Sequence, residues 1–367
     1  MNKKIRIVGI LALAVIWLGL TAFAWLRSPS ELSTSERRPL DQFPELNAET
    51  LLDTSFMRKF EEYTLDQFPL RDTFRQIKAL FHYNVMGQKD NNDIYVADGY
   101  AAKMDYPLNK DSVEHAIKQF NIANRLYLQK NNCKVYATVV PDKSYYLAEE
   151  SGHLSMDHEA MCRMIAEGMP WATYVDITDA LKAEDYYRTD THWRQEKLLP
   201  VAEKLTQAMG VSAFAPESMQ ISSLDRPFYG VYHGQAALPL APDTMEIMTN
   251  DVLKECIVSN AMGEVLYKGV HDMTKQNALD LYDVFLSGLE EPLVIENPNA
   301  KTDKKLVVFR DSFGSSLVPL LARDYAKITL VDIRKTSTQI TGLGGVDFQN
   351  ADVLFMYSAL VLNGNYI

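Results

Sequence analysis

Cysteine is scarce in this chain: Cys133, Cys162 and Cys256 are the only three in 367 residues, and no CxxC pair occurs. That count excludes a disulfide-knitted scaffold and a cysteine-based metal knuckle. The three read as packing residues, with one disulfide left open. Basic side chains are outnumbered, 37 Lys and Arg against 48 Asp and Glu, which gives a net charge of −11. No Lys/Arg-rich run breaks that balance, so nucleic acid is not an expected partner, because neutralising phosphates takes clustered cations. There is no internal repeat and no low-complexity tract, which sets repeat architectures aside.

What is present begins with one long apolar run. Lys3, Lys4 and Arg6 precede Ile7 to Leu26, and Arg27 closes the run. Roughly twenty residues at ~1.5 Å rise match the ~30 Å hydrocarbon core of a bilayer. The basic residues on its N-terminal side predict that this end stays in the cytoplasm and that everything after Arg27 lies outside. Ala22-Phe23-Ala24 resembles a small-x-small cleavage site, so a removed signal peptide competes with a retained single-pass anchor.

The full sequence is 47% apolar and 23% charged, a globular composition. Three segments are expected: residues 1–27 as cytoplasmic tip and transmembrane anchor, 28–90 as a linker and helical segment, and 91–367 as the main domain. The linker is polar and contains Ser28-Pro29-Ser30-Glu31. Leu51, Leu52, Phe56, Phe60 and Tyr63 recur at helical spacing, as do Phe74, Ile77, Leu80, Phe81 and Val85.

From about residue 93 strands and helices alternate. The expected strands are 93–96 (ending at Asp98-Gly99), 134–140, 173–176, 293–295, 306–309, 328–332 and 352–357. The expected helices are 109–130, 161–167, 193–209 and 313–322. This rhythm predicts an α/β fold with a mostly parallel sheet and helices on both faces. Residues 210–292 fit it poorly and read as an insertion of short strands.

Two motifs carry chemistry. Asp190-Thr191-His192-Trp193 places a carboxylate and an imidazole two residues apart, and Arg310-Asp311-Ser312-Phe313 places a serine after the apolar run Leu306 to Phe309. A serine hydroxyl becomes nucleophilic when a base takes its proton, and the base works best when a carboxylate fixes its tautomer. Ser312 ends a strand and starts a helix, a position where backbone N–H groups are expected to be free for an oxyanion. The plainer reading makes Ser312 a helix cap. Asp190 and His192 are also residue types that bind zinc. His233 and His271 lie in no recognisable ligand motif, however, and no metal or other cofactor is expected. Lys143, after Pro141-Asp142, sits at a strand's carboxyl end, where one reading has it facing the site and the plainer one makes it a surface lysine. Tyr145-Tyr146 and Tyr186-Tyr187 lie near strand ends, where glycan stacking is one reading and half-buried packing the other.

With these motifs the sequence resembles the alginate acetylation proteins and their relatives named for a DHHW motif. Further residues carry the resemblance: Glu36-Arg37-Arg38-Pro39-Leu40, Phe43-Pro44, Phe60-Glu61-Glu62-Tyr63, Asp66-Gln67-Phe68-Pro69-Leu70-Arg71, Phe228-Tyr229-Gly230, Ile295-Glu296-Asn297-Pro298 and Val331-Asp332-Ile333-Arg334. It extends over residues 36 to 360. It implies an SGNH-hydrolase-like three-layer fold for residues 91–367, held outside the cell membrane. It implies Ser312 as nucleophile, His192 as base, Asp190 as its orienter and Arg334 near the acyl or oxyanion site. It also implies a polysaccharide substrate and a multispanning membrane acyltransferase as partner. The chain departs from the family at Thr191, at Arg310 where glycine usually opens the serine motif, and at Arg194 where a small residue is usual. Two functions stay open. One is serine-dependent O-acyl transfer, either as an O-acetyltransferase or as an acetylesterase. The other, which Arg310 favours, is a non-catalytic glycan-binding or assembly protein.

Overall fold

The computed structural model describes residues 3–286, 292–335 and 340–367. Two compact units emerge, one of Met1–Asn91 with His233–Pro239, the other of Asn92–Tyr232 with Leu240–Ile367.

In the first unit, the apolar run forms helix α1 (Lys3–Leu26), long and apolar enough to cross a membrane. Helices α2 (Ser55–Asp66) and α3 (Arg71–Asn84) follow. The break between them falls at Pro69, which cannot donate a helical hydrogen bond. The charged residues of the N-terminal signature form an ion network. Arg38 grips Asp66 with two hydrogen bonds of 2.7 and 2.6 Å, while Glu36 forms ion pairs with Arg71 at 2.6 Å and Arg75 at 3.0 Å. The bond from Arg38 holds the Asp66 carboxyl down to about 2. Gln67 ties the linker down, accepting from the Ser30 N–H at 2.9 Å and donating to the Ser30 and Asp41 carbonyls at 2.8 and 3.1 Å.

The second unit is built on an eight-stranded sheet. Its strands are β1 (Lys134–Val140), β2 (Thr173–Tyr174), β3 (Ile257–Asn260), β4 (Val265–Lys268), β5 (Leu293–Glu296), β6 (Lys304–Arg310), β7 (Tyr325–Val331) and β8 (Asp352–Ser358). They lie in the order β4-β3-β5-β7-β6-β8-β1-β2. The run from β7 to β2 is parallel, and β5, β3 and β4 extend it antiparallel. Helices α4 (Lys110–Ala123), α5 (His158–Gly168) and α6 (Leu199–Met209) complete the layers.

Side chains alternate across a strand. Leu306 and Val308 of β6 therefore join a core with Val201, Leu205 and Met209 of α6, while Val307 and Phe309 join a separate core with Val113 and Phe120 of α4 and Met161 and Ile165 of α5. A strand covered on both faces has no polar side, which is why β6 reads as a continuous apolar run. This is the three-layer α/β architecture expected of an SGNH-hydrolase-like domain.

Several expected elements are corrected. Ile94–Ala97 pairs with Tyr100–Lys103 in a separate hairpin rather than entering the sheet. Asp98 and Gly99 adopt positive φ there (50° and 81°), the conformation a tight hairpin turn requires. The helix expected from Trp193 starts at Leu199, because Trp193 is held in a β-bridge with Tyr186 and Gln195–Lys197 forms one 3-10 turn. The helix expected over 313–322 is α-helical only over Gly314–Leu317 and tightens to 3-10 over Val318–Leu321, where Pro319 removes a donor. The 109–130 helix is α-helical to Ala123 and then widens over Asn124–Leu128. Residues 210–292 supply β3 and β4 to the sheet and a separate hairpin of Gln220–Phe228 with Asp243–Thr249.

Candidate active site

Because β6, β8 and β1 are parallel and adjacent, their carboxyl ends gather at one edge of the sheet, where α/β proteins place functional groups. Asp311 ties two of these ends together. Its carboxylate accepts from the Ser358 N–H at 2.7 Å and from the Phe313 N–H at 3.0 Å. Its carbonyl accepts from the Gly314 N–H at 3.1 Å. These bonds correct the expectation of free donors behind Ser312, since Asp311 already occupies the N–H groups of Phe313 and Gly314. Ser312 does not cap the short helix either, which has no side-chain cap.

The other motif lies on a tight loop. The bridge between Tyr186 and Trp193 closes it, with the Tyr187 N–H donating to the His192 carbonyl at 3.1 Å. Asp243 fastens the loop by accepting from the Arg188 N–H, the Thr189 N–H and the Thr189 hydroxyl at 2.8, 2.9 and 2.6 Å. Within it Asp190 Oδ1 accepts from the His192 N–H at 3.1 Å and lies 2.6 Å from His192 Nδ1. Asp190 Oδ2 accepts from the Val231 N–H at 2.7 Å. On its other side the imidazole meets Ser312, with Nε2 to Oγ at 2.8 Å across 120 residues of chain. Asp190 is buried, His192 nearly so, and the Ser312 side chain is half-exposed.

Three further residues shape this arrangement, of which Tyr282 was not expected from the sequence. Tyr282 stacks flat on the His192 ring and its hydroxyl meets Ser316 Oγ at 3.0 Å. It lies in the stretch that broke the α/β rhythm, so no pattern pointed to it. Gly230 packs so closely that an added Cβ would stand 2.3 Å from the Asp190 Cα and from the Thr189 carbonyl oxygen. Both are main-chain atoms that cannot yield, so only glycine fits here; the Phe228-Tyr229-Gly230 motif was the available signal. The third is Lys143, which corrects its reading as a surface lysine. It is fully buried, and its ammonium donates to the carbonyls of Tyr187 at 2.6 Å, Asp190 at 2.5 Å and Arg188 at 3.5 Å. Burial draws its pKa down to about 8, against the pull of the Asp142 and Asp190 carboxylates.

The remaining candidates are held as follows. Arg334 follows β7, the strand beside β6, and among the described residues its side-chain hydrogen bonds go to Asp332, at 2.8 and 2.6 Å. Arg310 turns inward, donating to the Leu286 carbonyl at 2.7 Å and to Ser315 Oγ. Arg194 is extended and pairs with Glu196 at 2.6 Å. Neither arginine disturbs the loop or the serine. His271 is buried against Gln195 Oε1 at 3.0 Å. Tyr186 and Tyr187 are core residues, not a surface for stacking, whereas Tyr145 is exposed. The three cysteines are free thiols.

Comparison with known proteins agrees with the motifs. Residues 171–331 match the family model described as DHHW protein, in agreement with the DHHW resemblance read from the motifs within that stretch. A DHHW family protein from Eubacterium siraeum has a similar structure, with TM-score 0.59 and 19% identity over 75% of this chain and 93% of that one. PatB1 from Bacillus cereus, solved with a sulfonyl adduct, has TM-score 0.57 and 17% identity over 74% of this chain and 97% of that one. No curated protein matches the sequence.

Proposed function

We propose that this protein transfers acyl groups, acetyl in particular, to or from a polysaccharide of the cell envelope through Ser312. The observation that carries this reading is the unbroken hydrogen-bonded chain from Asp190 through His192 to Ser312. Ser312 Oγ attacks the carbonyl carbon of an acyl ester while His192 Nε2 takes the hydroxyl proton. The tetrahedral intermediate collapses as His192 gives that proton to the departing alcohol, leaving acyl-Ser312. A second hydroxyl then attacks in the reverse sense: a sugar hydroxyl makes the protein a transferase, water an esterase. Asp190 holds the imidazole in the tautomer with Nδ1 protonated and stabilises the cation that forms. Its second oxygen, bonded to the Val231 N–H, keeps the carboxylate from turning away.

In this reading α1 anchors the chain and residues 28–367 lie outside the membrane, as the basic residues before the apolar run favour. An acyl group from a cytoplasmic donor then needs a multispanning partner to carry it across. The rival reading, a non-catalytic glycan-binding protein, rests on Arg310, whose buried guanidinium donates to the Leu286 carbonyl at 2.7 Å.

The deciding experiment is covalent labelling with an alkyl sulfonyl fluoride, followed by peptide mass analysis. The reagent should modify Ser312 in the native chain and leave both Ser312→Ala and His192→Ala unmodified at that peptide. A native chain that stays unlabelled while folded would move the assignment to the binding protein.

A further inference from the structure

We infer that helix α3 is a second membrane contact, lying along the outer surface of the bilayer with phospholipid covering its apolar stripe. The inference rests on the reading of α1 as a retained anchor. Leu70, Phe74, Ile77, Phe81 and Val85 recur every three or four residues and so form one stripe along the helix and its two flanking positions. All five are exposed, at 62%, 45%, 56%, 50% and 68%. The rest of the helix is occupied differently. Ala79 is buried, and Arg71 and Arg75 turn to Glu36. Five large apolar side chains in a row are costly to leave in water.

The stripe is continuous with α1. The Trp17 ring of α1 lies 6.4 Å from the Phe68 ring, and Phe68 lies 5.4 Å from Phe74, the second member of the stripe. Arg27, at the end of α1, donates to the Gln67 carbonyl at 3.0 Å. One apolar surface therefore runs from a helix whose entire apolar length is unburied, across Phe68, onto α3. Phe68 also lines one cleft with Leu20, Ala24 and Trp25 of the outer turns of α1, so lipid around those turns reaches the stripe across Phe68. The helix also has the composition of an interfacial rather than a spanning element. It is short, polar overall, and carries Lys78 and His82 among its aromatic residues. That continuity favours lipid over a protein partner.

The test uses the full chain in nanodiscs of phosphatidylcholine and phosphatidylglycerol. An environment-sensitive maleimide dye is attached at Ile77→Cys, Phe81→Cys, Gln76→Cys or Leu13→Cys. The unsubstituted chain serves as the labelling blank, since Cys256 is buried and Cys133 and Cys162 are half-buried. Quenching by doxyl-labelled lipid should be at least about twofold stronger at 77 and 81 than at 76, which lies off the stripe, and strong at 13 within α1. Equal quenching at 76, 77 and 81 with strong quenching at 13 would overturn the inference while leaving the anchor intact. No quenching at 13 would remove the anchor and the inference together. A blue-shifted but unquenched dye at 77 would show the stripe covered by a second protein copy, which also overturns it.

Discussion

The imidazole of His192 lies flat against the phenol ring of Tyr282, with centroids 3.9 Å apart and planes 10° from parallel. Phe313 closes a second side at 4.9 Å. An imidazole held by Asp190 at one nitrogen is free to turn about that bond, and an aromatic face fixes its plane while excluding water, as the base proposed above requires. Tyr282→Phe keeps the face and loses only the hydroxyl's bonds to Ser316 and the Ser312 carbonyl, so ester hydrolysis should fall by about fivefold or less. Tyr282→Leu removes the stacked face too and should cost a further factor of about ten. Equal losses in the two variants would assign the effect to the hydroxyl alone.

On an activated acetyl ester, Ser312→Ala and His192→Ala should each lose about a thousandfold or more in kcat, and the double variant should lose little beyond either one. Groups that act as one unit are non-additive, because removing one disables the other. Asp190→Asn should be severely impaired with its fold intact. Modest losses that multiply would instead describe substrate contacts. Steady-state kinetics beside thermal melts separate these outcomes.

Lys143→Met is expected to lower stability by about 3 kcal/mol, because the carbonyls of Tyr187 and Asp190 stay buried without their donor. Assayed below its melting temperature, the variant should lose kcat more than it changes KM, since the carbonyls that Lys143 holds belong to the loop carrying Asp190 and His192. An unchanged kcat would confine the lysine to a stabilising role.

Two histidines give the fold a dependence on pH. Burial pulls both His158 and His271 down to about 4, so both are neutral in the folded state where the unfolded chain begins to bind protons near pH 6.5. Their stabilising effect is complete above about pH 6.5 and is lost as pH falls towards 4, up to about 3 kcal/mol for each. The melting temperature should drop across that window. His271→Gln, which does not titrate, should flatten the drop measured between pH 6.5 and 4.

The apolar strands, the alternation of elements and the two polar motifs were legible in the sequence because each is a local pattern. Strand β6 announced itself by being apolar on both faces, and α1 by length alone. Asp190 and His192 stood out because they are two residues apart. Lys143 was misread because a single lysine has no local pattern; burial of its ammonium depends on three carbonyls more than forty residues away. The same holds for Tyr282, Val231 and Gly230, whose partners come from other segments. The free N–H groups expected behind Ser312 were lost to Asp311, a bond whose geometry depends on how the chain turns there.

By itself the sequence determined the kinds of chemistry available: a serine after a buried strand, an imidazole next to a carboxylate, and an apolar helix ahead of them. Only the tertiary structure decided that His192 Nε2 stands 2.8 Å from Ser312 Oγ. That distance comes from sheet order, which sets β6 beside β8 and β1, and from a loop clamped by Asp243 and Lys143. Such contacts join residues far apart in the chain. They are selected by the packing of the whole domain, and no local run of residues encodes them.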